Sequence, residues 1–200
     1  MTLTFSHRKA TQVLNFLARK EAGGQINKMK ALKLVFFADR YHLRQHGRPI
    51  TNDEYMAMQY GPVPSGCKDL AEMSDFLDTH ERSYAERFLR PNSQYEFASV
   101  AEVEKPVFSQ SDLEALEFAW QNFGQHDQFR LAEITHEFPE WKRHAVSLQS
   151  TDVSRIPMSY RHFLENAPAS VDPAPPLTAD DQRLRDEEIE ELQTIESLWA

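Results

Sequence analysis

His42 and His46 stand four residues apart in the stretch HLRQH, a spacing at which two imidazoles on one helix face can share a metal ion. A zinc-protease pair would read HExxH, and no cysteine or acidic cluster adjoins to complete a ligand shell, so surface histidines are the simpler reading. His136-Glu137 and His144 form a second group, in THEFPEWKRH. A general base needs a nucleophile or a polarised water within reach, and no GxSxG elbow or activated cysteine accompanies them. A His136-dependent hydrolase is therefore carried only as a hypothesis to test, against a packed corner in which Phe138 and Trp141 surround a structurally hydrogen-bonded His136. Lys28, Lys30 and Lys33 cluster near a helix start with no Gly-rich loop to cradle a phosphate, and Lys33 interrupts an apolar arc, so its stem is expected to snorkel to the surface. Cys67 follows Gly66 at a helix start, where a thiolate is favoured, but without a histidine or second cysteine nearby it reads as a buried or incidental thiol. No catalytic residue, cofactor-binding residue or metal ligand is assigned, and the chain is expected not to be an enzyme.

The elements that carry these residues are mostly helical. Ala10, Val13, Leu14 and Leu17 share one face of a helix from Ser6 to about Ala22, stopped by Gly23-Gly24. A second helix runs from an Asn27 cap to about His46, with Met29, Leu32, Val35, Phe36, Asp39 and Leu43 on its face and Leu34 and Phe37 widening the apolar arc. Gly47 is placed for a left-handed cap at its end. Glu54 to Tyr60 is β-prone, and Gly61-Pro62-Val63-Pro64 predicts a turn. A third helix is expected from Cys67 to about His80, another segment of helix over Tyr84 to Leu89, and extended chain over Gln94 to Val103, giving a small sheet of two or three strands. Ser111 followed by Glu114 predicts a capping box for a helix ending at Gly124. A further helix is expected from Gln128 to His136, a turn or two over Trp141 to Leu148, and a last helix from Pro157 to Asn166, with Pro157 in its first turn.

The chain has 200 residues and a net charge of −9. Residues 179–200 hold eight acids and two bases, so six of those nine negative charges lie in the last tenth of the sequence. An acidic chain is a poor unaided binder of nucleic acid and suits a basic protein partner better. No apolar run approaches the ~20 residues of a membrane span, the N-terminus lacks a signal-peptide core, and one cysteine suits a reducing compartment, so a cytoplasmic protein with no membrane partner is expected. Residues 167–178, APASVDPAPPLT, read as a Pro-rich linker, and 179–200 as an acidic amphipathic helix with Leu184, Ile189, Leu192, Ile195 and Trp199 on one stripe. A stripe beyond a tether must be buried somewhere, and those five residues are the candidate partner-binding positions. The alternatives are that the helix folds back on its own domain or stays solvated. The expected fold is mainly α: a multi-helix domain over 1–166 with a small β element, then linker and helix.

The order of several soft signals carries more than any one of them. Lys30, Leu32, Lys33, Leu34, Val35, Phe36, Phe37 and Ala38 lead to His42, Leu43, Gly47, Pro49 and Ile50. Then come Glu54, Ala57, Tyr60, Gly61, Pro62 and Val63, a helix from Leu113 to Gly124, and finally Leu131, Thr135, His136 and Trp141. Over roughly residues 7–165 this order resembles the Panacea (SocA-like) domain of bacterial antitoxins, with Phe36 where that family usually has Tyr and Val35 where it has Leu. The resemblance implies a mostly helical domain without catalytic residues or cofactor. It implies an antitoxin that neutralises a cognate protein toxin, the product of the neighbouring gene, by direct binding. The alternative within the family is an adaptor that delivers the toxin to the ClpXP protease, for which the apolar terminus Leu198-Trp199-Ala200 offers a grip.

Overall fold

The computed structural model describes residues 4–150 and 152–197. Its centre is α2 (Lys28–His46), a helix of 19 residues whose members from Ala31 to Arg40 are all buried. Asn27 caps it by accepting from the Lys30 N–H, and Gly47 ends it in the left-handed conformation at φ 70°. An aromatic cluster gathers on Phe36, which meets Phe37, Tyr55, Phe138 and Phe163 with ring centroids 5.3–6.0 Å apart. Phe36 is fully buried among those rings. Against α2 pack α1 (His7–Lys20), capped by Ser6, then α5 (Gln110–Phe123) and α6 (Gln128–His136). Mainly helical architecture with a small β part is what the periodicity predicted.

The β part is two antiparallel sheets of three strands rather than one. β1 (Gln25–Asn27), β5 (Glu96–Ser99) and β4 (Leu89–Pro91) lie in the order β1-β5-β4, with Ile26 opposite Phe97. β3 (Gly61–Pro64), β2 (Tyr55–Met58) and β6 (Arg155–Pro157) lie in the order β3-β2-β6, with Ala57 opposite both Pro62 and Ile156. The expected turn at Gly61-Pro62-Val63-Pro64 is instead this edge strand, and the reversal falls on Gln59-Tyr60. Ser65 N–H donates to the Glu54 carbonyl, so the odd-numbered residues bond toward β2. Pro62 and Pro64 then occupy positions whose N–H would point off the edge, where a strand tolerates proline. Gly61 stands at φ +98°, and a Cβ there would come within 2.3 Å of Thr135 Oγ1.

Three further expectations are corrected. The helix expected from Cys67 to His80 is α3 (Ser65–Glu72), broken at Met73 in the left-handed region at φ 51°, and then α4 (Thr79–Glu86), started by an Asp78–Glu81 capping box. Pro64 has no side chain to cap α3, and the buried Asp53 does so from a distance, accepting from Gly66 and Cys67 N–H at 2.7 Å each. The cap of α5 is Ser109 with Asp112, not Ser111 with Glu114. Asp112 is also taken by Lys9 and Arg48, so tertiary charge selects the earlier box. Pro157 closes β6 opposite Met56, and the helix after it is a short 3-10 turn over Tyr160–Leu164.

Past that turn, residues 167–178 form no regular element but lie on the domain, with Asp172 and Ala174 each 8% exposed. The Asn166 side chain bonds the Leu177 N–H and carbonyl, both at 2.9 Å. α7 (Pro139–Lys142), with proline in its first turn, supplies Glu140. Arg40 joins these parts: its guanidinium donates to Glu140 Oε1 at 2.6 Å, Asp172 Oδ2 at 2.6 Å and the Glu165 carbonyl at 2.7 Å. Replacing Arg40 by Met strands two acids of which Glu140 is fully buried. We expect a loss of about 3–5 kcal/mol in urea unfolding, partly recovered when Glu140→Gln is added.

Candidate functional site

The sequence-predicted stripe falls on α8 (Ala179–Ser197). Ile189 is 1% exposed and belongs to the core, whereas Leu184 is 51% exposed and Leu192 and Ile195 are half-buried. Trp199, like Leu198 and Ala200, lies outside the described residues. Arg185 donates to the Arg44 and Gln45 carbonyls at 3.3 and 2.7 Å, closing the C-terminus of α2, where a cation is favoured. Arg161 holds Asp186 at 3.0 Å and also Glu190. A Cβ at Gly47 would lie 2.0 Å from Glu188 Oε2, so the left-handed glycine is also what lets α8 approach. Glu187 and Glu191 face solvent.

The histidine groups are not brought together. His42 is buried, its Nδ1–H donating to the Arg48 carbonyl at 2.7 Å and its Nε2 accepting from Ser111 Oγ at 3.0 Å. Burial lowers its pKa to about 4, so the ring is neutral and both nitrogens are committed, while His46 beside it is exposed. His42 is thus a core residue and not the surface histidine expected. His136 stacks on Trp141, ring centroids 3.7 Å apart, and burial lowers its pKa. A hydrogen bond donated by its ring to the Gln59 backbone carbonyl opposes that shift in part. Among the described residues no group of three histidine, cysteine or acidic side chains could hold a metal ion. The Cys67 thiol is free and buried, and burial raises its pKa well above the ordinary value.

Lys33 departs most from expectation. Its side chain does not reach the surface: it is 1% exposed, and Nζ donates to the Pro62 carbonyl at 2.7 Å. That carbonyl is one of the groups left off the edge of β3, so the lysine satisfies it where another strand would otherwise pair. Trp141 Nε1 bonds the Met58 carbonyl at 2.9 Å, clamping the same hairpin from α7. Lys33, Gly61, Pro62 and Trp141 therefore form one unit, and the hairpin tip is held with Tyr60 56% exposed.

Beside this hairpin opens a groove of about 1510 Å³. Its floor includes Met29, Leu32, Met58, Val63 and Trp141, and three exposed rings stand around it: Tyr60, Tyr95 at 65% and Phe129 at 60% exposure. Gln59, Gln94, Gln128 and Gln149 give it polar margins. The groove lies at the N-terminal end of α2, whereas α8 covers the C-terminal end. Sequence reading named several of these residues as core or family positions but did not assemble them, because they come from five separate segments.

The structure thus defines a mainly helical domain built on one buried helix, with an open apolar groove at one end of that helix. Residues 32–142 match the family model described as "Antitoxin SocA-like, Panacea domain", more than half of the chain, and the chain belongs to that family. The match contains most of the groove and ends before α8. No curated protein and no solved structure matches the chain.

Burial lowers the Lys33 pKa from 10.5 to about 7. Between those values the unfolded chain binds a proton that the folded one does not, so this group adds stability as pH rises through that range. Asp53, raised by burial to about 6, and His42, at about 4, titrate below it. The wild-type urea midpoint is expected to climb between about pH 7 and 8.5, and Lys33→Met to flatten that climb.

Proposed function

We propose that this protein is an antitoxin that neutralises a cognate protein toxin by binding it directly. Membership of the antitoxin-like family, over a segment that carries the groove, is the observation that supports the reading. The groove suits binding better than catalysis: its lining combines Met, aromatic and aliphatic side chains with amides and with Lys28, Lys68, Glu72 and Glu96, and the aromatic and Met content is that of protein interfaces. Of the histidines weighed as a base, His136 stacks on Trp141, and its Nε2 is buried with no hydrogen-bond partner among the described residues, so no nucleophile or acid is aligned with it.

The partner in this reading is the product of the adjacent gene, and the pair works in the cytoplasm. No helix among the described residues is long and apolar enough to cross a membrane. The solvent-facing acids of α8, Glu187 and Glu191, offer a second contact to a toxin with a basic surface.

Growth of cells expressing the adjacent gene, with and without this protein, tests the proposal. We expect toxicity to be relieved, a stable complex to co-purify, and His136→Ala to rescue as well as wild type. Rescue without a complex, with the toxin degraded only when ClpXP is present, would support delivery to the protease instead. Loss of rescue in a folded His136→Ala variant would bring the hydrolase back.

A further inference from the structure

We propose that the groove beside the β2–β3 hairpin is the toxin-docking surface, and that it receives an amphipathic helix of the toxin carrying a carboxylate opposite Lys28. This deepens the antitoxin reading and rests on it.

Size and lining come first. At about 1510 Å³ the groove exceeds the ~300–1,000 Å³ typical of small-molecule sites. The solvated rings of Tyr60, Tyr95 and Phe129 stand together at its margins, although large aromatic side chains are costly to leave in water. Aromatic anchors around an apolar floor are where interface energy concentrates.

The form of the occupant follows from the backbone. An extended peptide would bind by adding a strand to an open sheet edge. Along β3 that route is closed, because Pro62 and Pro64 have no N–H and the Pro62 carbonyl is taken by Lys33. On this edge recognition depends on side chains, which an amphipathic helix presents along one face.

The charge of the occupant follows from Lys28. The chain carries −9, yet the groove lining pairs Lys68 with Glu72 at 2.7 Å and sets Lys28 against Glu96, whose carboxylate accepts from the Gln25 amide. Lys33 adds little charge there, because it is buried and its pKa falls to about 7. Lys28 donates to the Gln94 carbonyl at 3.1 Å, and among the described residues no carboxylate pairs with it. It begins α2, whose first turn has no acid and whose dipole is positive there. A carboxylate on the occupant complements that lysine and helix end.

The test uses the full-length protein and the adjacent gene product, with affinity measured by calorimetry at low and high salt. Four variants are compared: Phe129→Ala, Tyr95→Ala, Lys28→Glu, and a Glu187→Lys/Glu191→Lys control on α8. The two exposed rings can be truncated without opening the core. An acid at position 28 suits a helix N-terminus, so Lys28→Glu should leave the unfolding midpoint unchanged or raised. We expect about tenfold or greater weakening for each ring variant. Lys28→Glu should weaken binding most at low salt, with high salt narrowing the difference. Wild-type binding that all three groove variants match within about twofold, with the α8 control alone weakened, would overturn the groove and leave the antitoxin standing. Tighter binding by Lys28→Glu would overturn the acidic occupant. Self-association of the protein alone, broken by the ring variants, would assign the groove to a second copy. A wild type that neither rescues nor binds would remove the antitoxin reading, and this inference with it.

Discussion

A helix buried on every side must hide its polar residues as well as its apolar ones, and α2 carries five: Lys33, Asp39, Arg40, His42 and Arg44. Each takes its partners from another part of the chain. Lys33 binds β3, and Asp39 accepts from Ile50, Thr51 and Tyr55. Arg40 gathers Glu140, Asp172 and the Glu165 carbonyl, His42 takes Arg48 and Ser111, and Arg44 takes the carbonyls of Phe163, Leu164 and Glu165. An unpaired buried charge costs several kcal/mol, so these five positions impose a geometry on five surrounding segments. Apolar packing supplies the driving force, and the polar set determines which segment lies where.

The hairpin shows how that geometry makes a surface. A strand edge ending in two prolines cannot recruit another strand, and a lysine from the central helix closes its remaining carbonyl. Trp141 fixes the tip from the other side. The turn residue Tyr60 is thereby presented to solvent on a rigid support, beside the floor formed by Met29, Leu32 and Val63. Rigid presentation lowers the entropy lost when a partner binds.

At the other end of α2, α8 contributes one core residue, Ile189, and a guanidinium on the last carbonyls of α2. Glu188 lies against Gly47, Leu192 and Ile195 are half-buried, and the ion pairs through Arg161 are exposed. Exposed ion pairs contribute little, so Ile189, Arg185 and the partly buried Leu192 and Ile195 carry more of the attachment of α8 than Arg161 does. The segment before it is held more firmly, because Asp172 is paired with the buried Arg40. The two ends of α2 thus carry surfaces of different character, apolar with a partly exposed Lys28 at the start, acidic at the finish.

Much of the helical scaffold was legible in the residues themselves. Ser6 and Asn27 as caps, Gly47 as a left-handed stop and the Gln128–His136 helix are local features, set by side chains within a turn of the backbone they satisfy. The order of motifs from Leu32 to Trp141 was likewise sufficient to indicate the family. What sequence reading misplaced depends on distant partners. Lys33 looked like a snorkelling cation because nothing near it in sequence shows that a carbonyl waits 29 residues away. The cap of α5 moved to Ser109 because Lys9 and Arg48 draw Asp112, and Pro157 became strand because β2 offered it an edge. The groove exists only once α2, the hairpin, the β5 turn, α6 and the chain after α7 are assembled. Local backbone chemistry is written in neighbouring residues; pairing and concavity are set by long-range burial, which only the tertiary structure decides.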